Sequence, residues 1–285
     1  MYYGAIEAGG TKFVCAISNQ QFEIIERISI PTTTPTETLH LVFKFFDQFP
    51  LKSMGIGTFG PIDVNKNSGT YGFITTTPKA GWGYFDFLGA VKGRYNIPIA
   101  WTTDVNAAAY GEYKKGSAID NKSCLYLTIG TGIGGGAIIN GEILEGHGHA
   151  EMGHILVRQH PDDSYKGVCP YHNNCLEGLA SGPAIEGRYG KKGYELEKNH
   201  KVWEMEAYYL AQILVDLTLT IRPEKIILGG GVMKQCQLYP LIRNEFANLM
   251  NNYVPTPDLN HYIVSPGLGD NAGIIGSLLL GAETE

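Results

Sequence analysis

Over the first forty residues the apolar positions come in short blocks, Tyr3 to Glu7, Phe13 to Ile17 and Phe22 to Ile30, broken at Gly9-Gly10 and at the polar run Ser18 to Gln21. Blocks of this length bounded by turn residues predict three strands in an antiparallel meander that opens on a glycine turn. The same succession returns at Cys124 to Ile129, the glycine stretch Gly130 to Gly136, then Ala137 to Ile139. Asn140-Gly141 follows as a strong two-residue hairpin signal, leading into Glu142 to Leu144. Ile6 and Ile129 hold equivalent places, so the chain reads as a repeat.

After each meander, strands alternate with segments of helical spacing. In the first half these are a helix at Thr36 to Phe49, a strand at Ser53 to Thr58, the segment Phe85 to Tyr95, a strand at Ile97 to Thr102 and a helix at Val105 to Tyr113. In the second half a long helix near Trp203 to Ile221 stops at Pro223. A strand at Lys225 to Leu228, a helix at Tyr239 to Tyr253, a strand at His261 to Ser265 and a last helix at Ala272 to Gly281 complete it. The pattern predicts two α/β lobes of common design, joined at the polar bridge Lys114 to Lys122, where a hinge would let them close. A chain of 285 residues is long enough for two lobes and a cleft.

Composition narrows the function. The net charge is −6 and no Lys or Arg run is longer than Lys114-Lys115, which excludes a phosphate-neutralising surface for nucleic acid. No apolar run approaches membrane-spanning length and no signal peptide precedes Tyr3, so the expected location is the cytoplasm, away from any membrane. Five cysteines, an odd number mostly inside apolar strands, do not suit a secreted disulfide framework. Only Cys169 and Cys175 look chemical.

The 37 glycines cluster. Gly130-Thr131-Gly132-Ile133-Gly134-Gly135-Gly136 imitates a dinucleotide fingerprint, but strand and hairpin follow it where a Rossmann loop must open a helix. A hairpin turn rich in glycine still presents convergent N–H groups to phosphate, with Thr128 and Thr131 as added donors. The first turn, Glu7-Ala8-Gly9-Gly10-Thr11-Lys12, is the expected partner loop. There Lys12 supplies a cation, Thr11 a hydroxyl and Glu7 a carboxylate able to hold Mg²⁺ through water. Leu228-Gly229-Gly230-Gly231-Val232 ends a strand and is expected to face the nucleoside.

Taken together, EAGGTK, TDVNAAAYGE, GTGIGGG, EMGH, CPYHNNCLEGLASGP, ILGGGV and LGDNAGIIG, in this order over nearly the whole chain, resemble the ROK sugar kinases, and among them the bacterial fructokinases. The resemblance implies an actin-like, hexokinase-type fold of duplicated α/β domains with an interlobe cleft, the hexose and ATP as ligands, and a homodimer. It implies a small lobe over 1–117 joined by the C-terminal helix at about 272–285, and a large lobe over 118–271 with a zinc-binding loop at about 154–177. Gly9, Gly10, Thr11, Lys12, Thr131, Gly132, Gly134, Pro183, Gly229, Gly230, Gly231 and Asn271 are then the nucleotide and phosphate contacts.

A kinase needs a carboxylate beside the reacting hydroxyl, and Asp104, between a strand end and a helix start, is that residue, although Asp there also serves as a helix N-cap. Thr102-Thr103 stands where many family glucokinases carry Glu-Asn, a departure that turns the expectation toward fructose and makes Thr103 a sugar-site residue. Glu151, His154 and Glu177 match the family's other sugar contacts, and Trp82 is a candidate pocket wall. Cys169, His172 and Cys175 make a C-x2-H-x2-C clip suited to zinc, with His147, His149, His154 and His160 upstream as fourth ligands. The EMGH match selects His154, whose second ring nitrogen would then be an N–H donor to the sugar, with the zinc structural. The expected reaction is ATP-dependent phosphorylation of D-fructose at its 6-hydroxyl. Mannose, glucose or N-acetylmannosamine are the alternative substrates. A ROK-type sugar-responsive repressor is disfavoured because the meander begins at Tyr3, and a zinc hydrolase because four protein ligands close the metal.

Overall fold

The computed structural model describes residues 1–284, and Glu285, the last residue of the expected C-terminal segment, lies outside the described residues. The chain forms two compact units. Met1–Gly116, Ile143–Ala150 and the segment from Asp270 onward make the first, and Ser117–Glu142 with Glu151–Gly269 makes the second.

In the first unit β1 (Tyr2–Ala8), β2 (Lys12–Ser18) and β3 (Ile24–Pro31) form the expected meander. After α1 (Pro35–Phe46) come β4 (Leu51–Thr58), the short hairpin strands β5 (Phe73–Ile74) and β6 (Phe85–Asp86), α2 (Phe87–Arg94), β7 (Ile99–Thr103) and α3 (Asp104–Lys115). The main sheet runs β3-β2-β1-β4-β7, with β4 parallel to β1 and β7 parallel to β4. Alternation along the strands sends Ile6, Ala8, Phe13, Cys15 and Ile17 into the core under α1 and α2. The residues between them, Ala5, Val14 and Ala16, meet Ile274 and Leu278 on the other face. Both faces are therefore covered, as parallel strands require. The helix α1 starts where Thr34 accepts from the Glu37 N–H and Glu37 returns the bond, with Pro35 in its first turn.

The second unit repeats the order. It holds β8 (Ser123–Ile129), β9 (Ile133–Ile139) and β10 (Glu142–Ile143), then α4 (Leu176–Ala180), α5 (Gly182–Tyr189) and the long α6 (Val202–Ile221). Next come β11 (Ile226–Gly229), α7 (Leu238–Met250), α8 (Leu259–Tyr262) and β12 (Ile263–Val264). Its sheet is β10-β9-β8-β11-β12, the same sequence of meander and parallel strands as in the first unit. The last helix, α9 (Ala272–Ala282), belongs to the first unit. It comes so close to its neighbours that a Cβ at Gly276 would stand 1.7 Å from the Ala107 carbonyl oxygen, and one at Gly55 would stand 1.8 Å from that of Ser277. No described helix is long and apolar enough to cross a membrane.

One expectation changes here. The glycine stretch is not a loop over Gly130 to Gly136: β9 begins at Ile133, so Gly134, Gly135 and Gly136 pair with Thr128, Leu127 and Tyr126. Packing explains Gly135, since a Cβ there would lie 2.6 Å from the Met152 sulfur and 2.7 Å from Leu127 Cδ2.

Candidate active site

In the first unit the carboxyl ends of β1, β4 and β7 lie in register, Ala8 beside Thr58 and Thr58 beside Thr103. Ligands of open α/β sheets bind at such ends. The turn Gly9-Gly10-Thr11 leaves β1 there, and Asp104 starts α3 one residue beyond β7. The capping role weighed for Asp104 falls to Thr103, whose side chain accepts the Asn106 N–H at 3.1 Å. Asp104 remains partly exposed, with Oδ1 accepting from the Val105 N–H at 2.9 Å. Thr103 is 4 % exposed, so its expected part in sugar binding rests on its hydroxyl hydrogen.

The phosphate turn is held by backbone: the Gly9 N–H donates to the Lys12 carbonyl at 2.9 Å, and Thr32 Oγ1 donates to the Gly9 carbonyl at 2.8 Å. Thr11 and Lys12 are left exposed. Behind the turn, Glu7 Oε2 is buried without a hydrogen-bond partner. Desolvation pushes the Glu7 carboxyl up to about 7, and the charge of Asp104 adds to the rise against the opposing pull of Arg27 and Lys12. Gly273 makes room for it, since a Cβ there would sit 2.7 Å from Glu7 Cδ. Asn271, just before α9, accepts from Arg27 at 2.6 Å.

In the second unit three glycine-containing segments converge. The Gly182 N–H at the start of α5 donates to the Gly130 carbonyl at 2.7 Å, and a Cβ on Gly130 would stand 3.8 Å from Gly231 N. Thr131 and Gly231 are exposed, and Pro183 is half-buried in the first turn of α5 behind the Ser181 cap. Gly229 and Gly230 answer to packing. A Cβ on Gly229 would meet the Tyr126 hydroxyl at 2.5 Å, and Gly230, with φ of 90°, lies against the Ile129 backbone.

Glu151 and His154 flank a single helical turn seated on β9, where a Cβ on Gly153 would lie 1.8 Å from the Ile133 carbonyl. Glu177 on α4 accepts the Ile133 N–H at 2.9 Å through Oε2, and its Oε1 is 3.9 Å from His154 Nε2. The other nitrogen of His154 faces sulfur, with Nδ1 at 3.7 Å from Cys169 Sγ and 3.6 Å from Cys175 Sγ. His172 Nδ1 is 3.9 Å from Cys169 Sγ. One ligand atom from each of His154, Cys169, His172 and Cys175 lies within 4.8 Å of the other three. Tetrahedral zinc with bonds of about 2.3 Å to sulfur and 2.0–2.1 Å to nitrogen wants its ligands roughly 3.5 Å apart. Backbone N–H groups of His172 and Gly178 reach the two sulfurs at 3.4 Å. Burial and the neighbouring Cys169 push the Cys175 thiol up to about 11, a preference a cation would reverse.

The ROK family model matches residues 3–284. The chain belongs to the ROK family. It is 55% identical over 281 residues to a putative fructokinase of Bacillus subtilis, covering 97% of this chain and 94% of that one. It is 53% identical over 280 residues to the fructokinase of Pediococcus pentosaceus, covering 98% and 97%. The solved structure of a ROK glucokinase from Streptomyces griseus, in complex with glucose and AMPPNP, superimposes with a TM-score of 0.77 at 24% identity, over 99% of this chain and 100% of that one. The expected fold class, the actin-like hexokinase type with duplicated α/β domains, is thus the fold of this ROK protein.

Trp82 does not wall a pocket. It is fully buried, its ring packs against Phe13, Phe59, Phe85 and Phe87, and Nε1 donates to the Thr33 carbonyl at 2.7 Å. The eight ring carbons of the indole, packed among aromatics, gain more from the core than from a wet cleft. One residue near this sheet end, Lys79, escaped the sequence reading, and a second, His149, was weighed there only as a metal ligand. Lys79 reaches the phosphate turn, its Cε 3.3 Å from where a Cβ on Gly10 would stand. His149 Nε2 accepts the Ile62 N–H at 3.0 Å, just past the carboxyl end of β4. The string Thr77 to Trp82 carried the signal for Lys79, but nothing in it tells which turn the lysine meets.

Proposed function

We propose that this ROK protein is an ATP-dependent fructokinase that transfers the γ-phosphoryl group to the 6-hydroxyl of D-fructose. The observation that carries the chemistry is the partly exposed carboxylate of Asp104 at the same sheet end as the turn Gly9-Gly10-Thr11-Lys12. Identity above one half to proteins named fructokinase supports the substrate.

In this reading Asp104 takes the proton of O6 as O6 bonds to phosphorus and the bond to the departing ADP oxygen breaks. Lys12 and the N–H groups of Gly10 and Thr11 offset the charge on the transferring group, while Gly9 holds the turn through its bond to the Lys12 carbonyl. Magnesium would supply neutralisation of the phosphates, and Glu7 is assigned to hold it through water. Thr131, Gly132, Gly134, Pro183, Gly229, Gly230, Gly231 and Asn271 are assigned to the nucleotide, of which Gly231 and Thr131 have the most open surroundings. Glu151, His154, Glu177 and Thr103 are assigned to the sugar. The 3.9 Å between His154 and Glu177 is too wide for a direct hydrogen bond, so both keep capacity for hydroxyls.

The donor set and spacing of His154, Cys169, His172 and Cys175 fit zinc, which would hold the α4 segment rigid and keep the proton of His154 on Nε2. The native assembly in this reading is a homodimer in the cytoplasm. The deciding experiment measures kcat/KM with Mg-ATP for fructose, mannose, glucose and N-acetylmannosamine. Fructose is expected to lead, and a higher value for any other sugar refutes the substrate assignment.

A further inference from the structure

The string Thr77-Pro78-Lys79-Ala80-Gly81-Trp82 has no part in the reading above, yet it is one of the most firmly built turns of the first unit. The Trp82 N–H donates to the Lys79 carbonyl at 3.1 Å, and Gly81 takes the φ of 78° that closes such a turn. Thr77 Oγ1 accepts the Lys79 N–H at 3.4 Å. The buried indole of Trp82 ties one end to the Thr33 carbonyl, while Thr32, one residue earlier, donates to the Gly9 carbonyl. The Lys79 turn and the glycine turn thus hang from the same two residues, Thr32 and Thr33. Their relative position is fixed without Lys79's own side chain taking part.

That side chain is what remains available. Lys79 is half-buried and lies over Gly10, where the missing Cβ leaves it space. Among the described residues no carboxylate, carbonyl or ring pairs with its ammonium. A half-buried cation on a rigid base, unpaired and next to a turn whose Thr11 and Lys12 are exposed, is arranged for an anion that arrives with a ligand.

We propose that Lys79 is a second catalytic cation, touching the phosphoryl group while it passes from ADP to the sugar oxygen. This inference rests on the kinase reading above. Lys79 neither gives nor takes a proton: the O6 proton goes to Asp104, the bond to the ADP oxygen breaks, and Lys79 with Lys12 offsets the negative charge spread over the moving group.

The test compares Lys79→Met and Lys79→Arg with the unaltered protein by steady-state kinetics, by calorimetric binding of fructose and ADP, and by thermal melting. Lys79→Met is expected to lose about 100-fold in kcat, while fructose and ADP affinities stay within about threefold, because the lost interaction is made in the transition state. Lys79→Arg, which keeps the charge, is expected to stay within about tenfold of the unaltered kcat. A Met variant that keeps its kcat within about threefold overturns the proposal, and so does one whose main defect is fructose or ADP affinity. If the Met variant melts early, an Arg variant of unchanged melting temperature with a kcat as low as that of Met also overturns it. An unaltered protein that phosphorylates no hexose overturns the kinase reading and this inference together. An active one with an active Lys79→Met overturns this inference alone.

Discussion

The turn between β1 and β2 and the turn between β8 and β9 occupy the same place in two sheets of the same order, yet different groups surround them. Around Gly9-Gly10-Thr11 the neighbours are charged: Lys12, Lys79, and behind them Glu7 with Asp104 and Arg27. Around Gly130-Thr131-Gly132 they are mostly backbone and small residues, Gly182 and Gly231, with Glu177 turned inward to hold the Ile133 N–H. A duplicated hairpin thus stands in two different surroundings. Charged side chains gather at the first turn, and close, mostly neutral packing surrounds the second.

The comparison breaks most sharply at Asp104. Asp104→Asn is expected to lower turnover by about two to four orders of magnitude with fructose binding nearly unchanged, because the amide keeps the shape but takes no proton. Turnover within a few-fold of the original, measured under saturating fructose and ATP, would remove the charged role from this end of the molecule.

The metal cluster tests the second unit. Protein purified without chelator should contain about one zinc per chain, and Cys175→Ser should lose it and raise the fructose KM by about ten- to a hundredfold, since Glu177 sits two residues further on. Metal analysis and kinetics on one preparation check both. A zinc-free protein of unaltered KM would show that α4 stands without the clip.

Glu7 sharpens the contrast through pH. Its folded value near 7 exceeds the ordinary 4.5, so the folded state binds the extra proton. Stability from this group is full below about 4.5 and is lost as pH rises toward 7, by about 3 kcal/mol at most. Urea denaturation of metal-free protein at pH 5 and pH 8 should show the drop, and Glu7→Gln should flatten it. A Glu7→Gln protein as pH-sensitive as the parent would place the titration elsewhere.

Gly231→Ala should give the smallest effect. Nothing lies within 4 Å of the added methyl and the backbone is ordinary, so the melting temperature should hold while the KM for ATP rises several-fold from crowding of the ligand. Gly230→Ala, strained and against Ile129, should instead melt early. If the two variants behave alike, the third glycine cluster has no ligand-facing member.

What could be read in advance followed local pattern. The two meanders, the parallel strands after them, Asp104 at a strand end and the Cys-His clip all show in spacing within about twenty residues. The start of β9 did not, because Gly134 to Gly136 look like turn residues until Met152 and Leu127 are packed against them. Trp82 could not be told from a pocket wall before Phe13 and Phe87 enclosed it. Lys79 and Gly10 are neighbours only because Thr32 and Thr33 bring two distant turns together. Thr103 took the cap from Asp104 by one residue, a margin inside the usual uncertainty of helix starts.

The seat of α9 has a consequence for how the protein is made. The first unit leaves the ribosome first but is finished last. Its face of Ala5, Val14 and Ala16 waits for Ile274 and Leu278, and the groove at Gly55 waits for Ser277. At about 5–20 residues per second the wait between the end of β7 and the end of α9 is roughly ten to forty seconds. During that interval the nascent chain carries an apolar sheet face that α9 covers in the folded protein, so the half that looks complete is the half with its core still open.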